Sequence, residues 1–171
     1  MDIRPGDVFA VYSGSWIARA INCFQWIWSR DGSARYNHAG IILDESGRTF
    51  EALATLRTSH LDEYQDKPVI IARPERASGP KREAVLKQII IRFESKWYPA
   101  WRLLLHIFGP LSKVSFAGRP VCSELVAFYL WQVGARHDQW AGTSPDTLVD
   151  EWRNWHGYQI VYEGKWVCGD K

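Results

Sequence analysis

The stretch Asn37 to Ala54, NHAGIILDESGRTFEALA, constrains the fold more than any other part of the chain. Two runs rich in strand-forming residues, NHAGIIL and RTFEALA, flank the polar DESG, whose glycine closes a tight turn. That pattern predicts a β-hairpin. If DESG is a four-residue turn, Leu43 lies opposite Arg48 and His38 opposite Leu53. Glu51 is then the diagonal neighbour of His38 on the same face, about 7–8 Å away at the backbone and within side-chain reach. A one-residue bulge in the turn would send Glu51 to the other face, where it would be an ordinary solvent-facing strand position.

Strands and helices are expected on both sides of this hairpin. Asp7 to Tyr12 reads as a strand after a Pro5-Gly6 turn, and Pro68 to Pro74 as a β-branched strand bounded by prolines. SGSWIARAINCFQWIW, capped by Ser13 or Ser15, has Trp16, Ala20, Phe24 and Ile27 on one helical face, with Cys23 beside them as core filler. SGPKREAVLKQIIIRFESK starts with Ser78 or Gly79 as a cap and Pro80 in the first turn. Pro99 separates it from AWRLLLHIFG, a short helix or ordered loop. A further helix runs from near Pro120 to Gly134, another is capped by Ser144 with Pro145 in its first turn, and YQIVYEGKWV is a closing strand. No repeat or linker divides the 171 residues, so one α+β domain spanning 1–171 is expected.

Composition excludes several classes of function. The net charge is only +2 and the basic residues are scattered, which speaks against a nucleic-acid partner. Three cysteines, Cys23, Cys122 and Cys168, show no C-x-x-C spacing, so neither a disulfide framework nor a cysteine metal site is expected. The amino-terminal residues show no leader pattern and no apolar run is long enough to span a membrane, giving a cytoplasmic expectation. Many of the ten tryptophans fall in CFQWIWS and KWYPAWRLLLHIF. Their helical spacing favours core packing over a membrane-facing rim, which is the alternative.

The candidate chemistry begins at Cys122, the first residue of the apolar run CSELVAFYLW. Helix amino termini carry partial positive charge and free N–H groups, which favour a thiolate and can hold an oxyanion. Free cysteine is also a common core residue, so position alone leaves both readings open. Ser123 and Glu124 suit the first turn of a helix. A thiol nucleophile needs a base. His60, His137 and His156 lie in polar surroundings that suit loops, and His106 lies in a leucine-rich aromatic stretch. His38 opens a strand, where an imidazole can stand at the rim of a sheet, with Glu51 placed to orient it. Tyr12, at the end of the first strand, is a weaker candidate for polarising a carbonyl and is not counted among the expected site residues. No serine triad, phosphate loop or H-E-x-x-H motif competes, and Asp44/Glu45 and Asp62/Glu63 read as surface pairs.

In their order, PGDVFAV, YNHAGIIL, TFEALA, IIARP, PVCSELVAFYL and SPDTLVDEW resemble the circularly permuted branch of the NlpC-like papain superfamily, the YiiX-like hydrolases. The resemblance runs from Gly6 to about Trp152, and NHAGI with CSELV are its most specific parts. It implies a papain-like core in which the nucleophile helix packs on an antiparallel sheet bearing the base. It also implies Cys122 as nucleophile, His38 as general base and acid, and Glu51 as the orienting residue. The activity implied is hydrolysis of an amide through a thioester, on a small amide, peptide or acyl substrate and without a cofactor. Val121 stands where relatives often have an aromatic or acidic residue, and Tyr98 is followed by Pro99 where a substrate-contacting tyrosine segment is expected. Two alternatives remain: a lipid-directed thiol acyltransferase or phospholipase with membrane contact through the tryptophan clusters, and a non-catalytic papain-like binding module.

Overall fold

The computed structural model describes residues 2–12, 35–52, 55–76, 79–94 and 120–168. The helix expected from Ser13 or Ser15, Cys23, both tryptophan clusters, Tyr98, His106 and the Ser78 cap lie outside these residues.

The hairpin forms in the register of a four-residue turn. Strands β2 (His38–Ile42) and β3 (Arg48–Ala52) pair antiparallel with Gly40 opposite Glu51, Ile41 opposite Phe50 and Ile42 opposite Thr49. Leu43 N–H continues the ladder to the Arg48 carbonyl at 2.7 Å. Asp44 holds the turn: its carboxylate accepts hydrogen bonds from the Ser46 amide and hydroxyl and from the Arg48 amide and guanidinium. Such local side-chain bonds are why Asp is favoured in turns. Those donors and the Arg48 charge outweigh the slight burial of Asp44 and hold its carboxyl down at about 2.

β1 (Val8–Val11) pairs antiparallel with β2 and with β5 (Pro68–Pro74). β4 (Leu56–His60) pairs with β3, and β6 (Tyr158–Lys165) with β5. The described residues thus form a six-stranded antiparallel sheet of order β4-β3-β2-β1-β5-β6. β4 is a strand that the polar segment LRTSH does not announce. It lies at the sheet edge, where Arg57 and Thr58 face solvent and the β3 ladder supplies its hydrogen bonds.

Three helices complete the mixed α+β fold among the described residues: α1 (Gly79–Phe93), α2 (Cys122–Val133) and α3 (Pro145–Asn154). α2 is buried along most of its length and ends at Gly134, whose φ of 82° lets its N–H reach the Leu130 and Trp131 carbonyls. α3 starts as its sequence predicts, with the Ser144 hydroxyl accepting from the Thr147 amide at 3.1 Å and Pro145 in the first turn. Val8, Ala10, Ala39, Ile41, Phe50 and Ile70 share one core with the three helices. Phe9, Val11, Ile42, Val69 and Ile71 join Ile3, Leu61, Tyr64 and Trp166 in a second, smaller cluster. Strand alternation therefore buries both faces of the central strands. None of the described helices is long and apolar enough to cross a membrane.

The PGD segment locks the first strand to its surroundings. Asp7, fully buried, accepts from Arg73 Nε at 2.9 Å and Nη2 at 2.8 Å and from the Arg4 amide. This fork-on-carboxylate geometry is the strong form of an ion pair. Gly6 has a φ of 86°, and its carbonyl accepts from the Tyr129 hydroxyl of α2 at 3.0 Å. A Cβ at this position would lie 2.4 Å from that hydroxyl oxygen and from Arg82 Cδ. Gly6→Ala should therefore lower stability by about 1–3 kcal/mol, through left-handed strain and displacement of Tyr129. Denaturant unfolding of the variant measures this, and an unchanged midpoint would refute it.

Candidate functional site

His38 and Glu51, diagonal neighbours across the hairpin, are in direct contact: His38 Nε2 lies 2.7 Å from Glu51 Oε2. Both are buried, His38 at 5% exposure and Glu51 at 0%, so Glu51 is not a solvent-facing position. The Glu51 carboxylate also accepts from the Thr49 hydroxyl at Oε1 and from the Tyr64 hydroxyl at Oε2. Tyr64 comes from the short 3-10 turn Leu61–Tyr64 after β4. Burial alone would raise the Glu51 carboxyl, but His38, Thr49 and Tyr64 together hold it below its ordinary value.

Cys122 opens α2, as His38 opens β2, and the two element starts come together so that the thiol acts on the imidazole. Because Nε2 faces Glu51, Nδ1 is the ring nitrogen left for the sulfur. Burial pushes the imidazole down. The hydrogen bonds to Cys122 and to Glu51, with the charges of both groups, outweigh it and raise His38 to about 10. All three sequence candidates are thus brought into one chain, Cys122–His38–Glu51. Tyr12 directly follows β1 and is partly buried, with its amide on the Pro68 carbonyl.

Gly40 makes the contact possible. A Cβ there would sit 2.6 Å from the Phe9 ring and 2.9 Å from Glu51 Cγ, so only glycine lets the Glu51 stem cross toward His38. Phe9 meets the His38 ring edge-on at 6.4 Å, and Tyr64 packs on both rings at 5.7 and 5.9 Å.

The start of α2 is anchored from the loop between α2 and α3. Valine has no acceptor, so only the glutamate half of a capping box forms: Glu124 accepts from the Val121 amide at 3.1 Å. Its other oxygen accepts from the Gly142 amide at 3.0 Å, and the Ser123 hydroxyl donates to the Thr143 carbonyl at 2.6 Å. Arg136, buried in the same loop, donates to the Thr143 hydroxyl and to Glu151 of α3. Asp146 reaches the other partner, accepting from the Arg35 amide just ahead of β2.

The remaining histidines take other roles. His60 is the last residue of β4, not a loop residue, and its Nδ1 accepts from the Asp62 amide. His137 lies beside Arg76, and His156 sits in an exposed turn. Sequence reasoning did not find Thr49, Gly40 or Tyr64. Thr49 carried a usable signal, since residues two apart on a strand share a face. Tyr64 carried none, because its place depends on the unpredicted β4 and the turn after it.

No protein-family model matches the chain, and no curated protein matches its sequence. Among solved structures the fold is similar to the crystal structure of the metalloprotein YiiX from Escherichia coli O157:H7, DUF1105. That likeness has a TM-score of 0.64 at 16% identity and covers 96% of this chain and 99% of that one. The chain therefore has a YiiX-like fold.

The loop anchor leads to a pH dependence. Glu151 is pushed up to about 7 by burial, which exceeds the opposing effect of Arg136 and is reinforced by Asp138 and Asp150. A carboxyl raised from 4.5 contributes stability that is fully present below that value and lost as pH rises through about 7. The stability of the wild type relative to Glu151→Gln should therefore fall by up to about 3 kcal/mol between pH 4 and 8. Paired unfolding curves across that range test it, and a constant difference would refute it.

Proposed function

We propose that this protein is a cysteine hydrolase of the circularly permuted NlpC-like papain type, cleaving an amide through a thioester intermediate. The observation that carries the reading is the convergence of the buried Cys122 thiol and the buried Glu51 carboxylate on the His38 imidazole, with Nε2 2.7 Å from Glu51 Oε2. A binding module has no need of a thiol, a base and a buried carboxylate in series.

In this reading His38 takes the Cys122 proton and the sulfur attacks the substrate carbonyl carbon. The carbonyl oxygen becomes an oxyanion, held by amide N–H groups in the first turn of α2, where helical amides lack intrahelical acceptors. The C–N bond then breaks as His38 delivers its proton to the leaving nitrogen, and a thioester remains on Cys122. Water, deprotonated by His38, attacks the thioester carbon and releases the carboxylic acid, with the proton returned to the sulfur. Glu51 keeps the ring oriented and compensates the imidazolium charge throughout.

YiiX is described as a metalloprotein, but the residues of this site do not fit an ion. Both Glu51 oxygens accept protein hydrogen bonds and His38 Nε2 faces that carboxylate. Among the described residues no group of three or more His, Cys, Asp or Glu side chains is placed to hold a metal. The lipid-directed alternative draws on Trp97, Trp101 and Leu104, which lie outside the described residues.

Two outcomes are expected. Near neutral pH, iodoacetamide should modify Cys122 far faster than Cys23 or Cys168, as read by peptide mass mapping; equal slow modification of all three would sink the reading. In a screen of acyl-amide and acyl-ester probes, the wild type should trap an acyl group on Cys122. Cys122→Ala should trap none, and His38→Ala should turn over about 10²–10⁴-fold more slowly.

A further inference from the structure

The cysteine–histidine–glutamate reading leaves unexplained why a carboxylate with no solvent exposure remains an anion, and why a tyrosine from a separate turn ends on it. Glu51 has one cationic partner, His38 of β2, and two neutral donors, Thr49 of its own strand and Tyr64 of the 3-10 turn. Cys122 of α2 bears on the His38 imidazole and also on the Tyr64 phenol. Glu63, beside Tyr64 in the turn, is half-exposed and paired with Arg57. Burial and the Glu51 charge push the Tyr64 phenol far above its ordinary value, so it stays a donor at any working pH.

We propose that Tyr64, assisted by Thr49, is a positioning residue of this site: the two hydroxyls hold the buried Glu51 carboxylate ionised and aimed at His38 Nε2. The arrangement divides the labour between the oxygens. Thr49 takes Oε1, so the carboxylate cannot rotate that oxygen toward the ring. Tyr64 shares Oε2 with His38, drawing electron density from the atom that receives the imidazole N–H. The ring of Tyr64, packed against Phe9 and His38, fixes its hydroxyl with little rotational freedom. A hydrogen bond to a charged acceptor is worth more than one between neutral groups, so each hydroxyl bears on the proton affinity of Glu51.

This inference rests on the proposed cysteine chemistry for its catalytic meaning but not for its test. Tyr64→Phe keeps the ring and removes only the hydroxyl; Thr49→Val does the same for its own hydroxyl, and Thr49→Ser restores it. The Glu51 carboxyl carbon, followed by carbon-13 NMR and assigned by its loss in Glu51→Gln, should titrate about one pH unit higher in Tyr64→Phe and in Thr49→Val. Thr49→Ser should return it to the wild-type value. The acid limb of Cys122 alkylation by iodoacetamide should move upward with it. A Glu51 titration unchanged in both Tyr64→Phe and Thr49→Val overturns the inference. If wild-type Cys122 is not selectively alkylated, the hydrolase reading fails while the carboxyl titration still decides the role of Tyr64. A loss of alkylation rate with no movement of either titration would show that Tyr64 serves packing alone, and would also overturn it.

Discussion

An ionised carboxylate sits where no water reaches it, and the rest of this fold is arranged around that constraint. Moving such a group out of water costs several kcal/mol, recovered only when its lone pairs are filled with good geometry. Glu51 meets the condition with three donors from three elements: Thr49 of its own strand, His38 of the strand across from it and Tyr64 of the turn beyond β4. The bonds from His38 and Tyr64 depend on the hairpin register, because it sets the face that Glu51 takes. A slip of one residue would send Thr49 and Glu51 together to the opposite core, where Phe50 and Ala52 pack against the helices. Asp44 and its Ser46 and Arg48 donors guard against that slip, and Gly40 leaves the room that the Glu51 stem needs.

The second half of the site has a different physical basis. Cys122 belongs to a helix buried along most of its length, so apolar contact with β2 and β3 settles where its first residue stands. Polar bonds then refine that position. Glu124 ties the helix start to Gly142, Ser123 ties it to Thr143, and Arg136 joins that loop to α3. α3 in turn holds the segment ahead of His38 through Asp146. The thiol and the imidazole are thus held by frames that share one helix, which keeps two residues far apart in the chain close enough to interact.

Much of this was legible in the chain because the signals are local. The hairpin register followed from turn length and strand alternation, and the pairing of Gly40 with Glu51 agrees with it. Ser144, Pro145 and Gly134 mark helix ends by backbone chemistry that acts within one turn, and each stands where that chemistry places it. β4 escaped notice because an edge strand needs little apolar character when its neighbour supplies the ladder. Asp7 with Arg73, and Arg136 with Glu151, escaped because ion pairs between distant residues leave no periodic trace.

The order of residues thus dictated the described strands other than β4, the turn and the facing of His38 and Glu51, since each follows from steric and hydrogen-bonding rules that span only a few residues. The meeting of Cys122 with His38, and the arrival of Tyr64 on Glu51, were decided by folding. Those contacts join elements whose relative placement comes from packing the whole core, and no short-range rule carries that information.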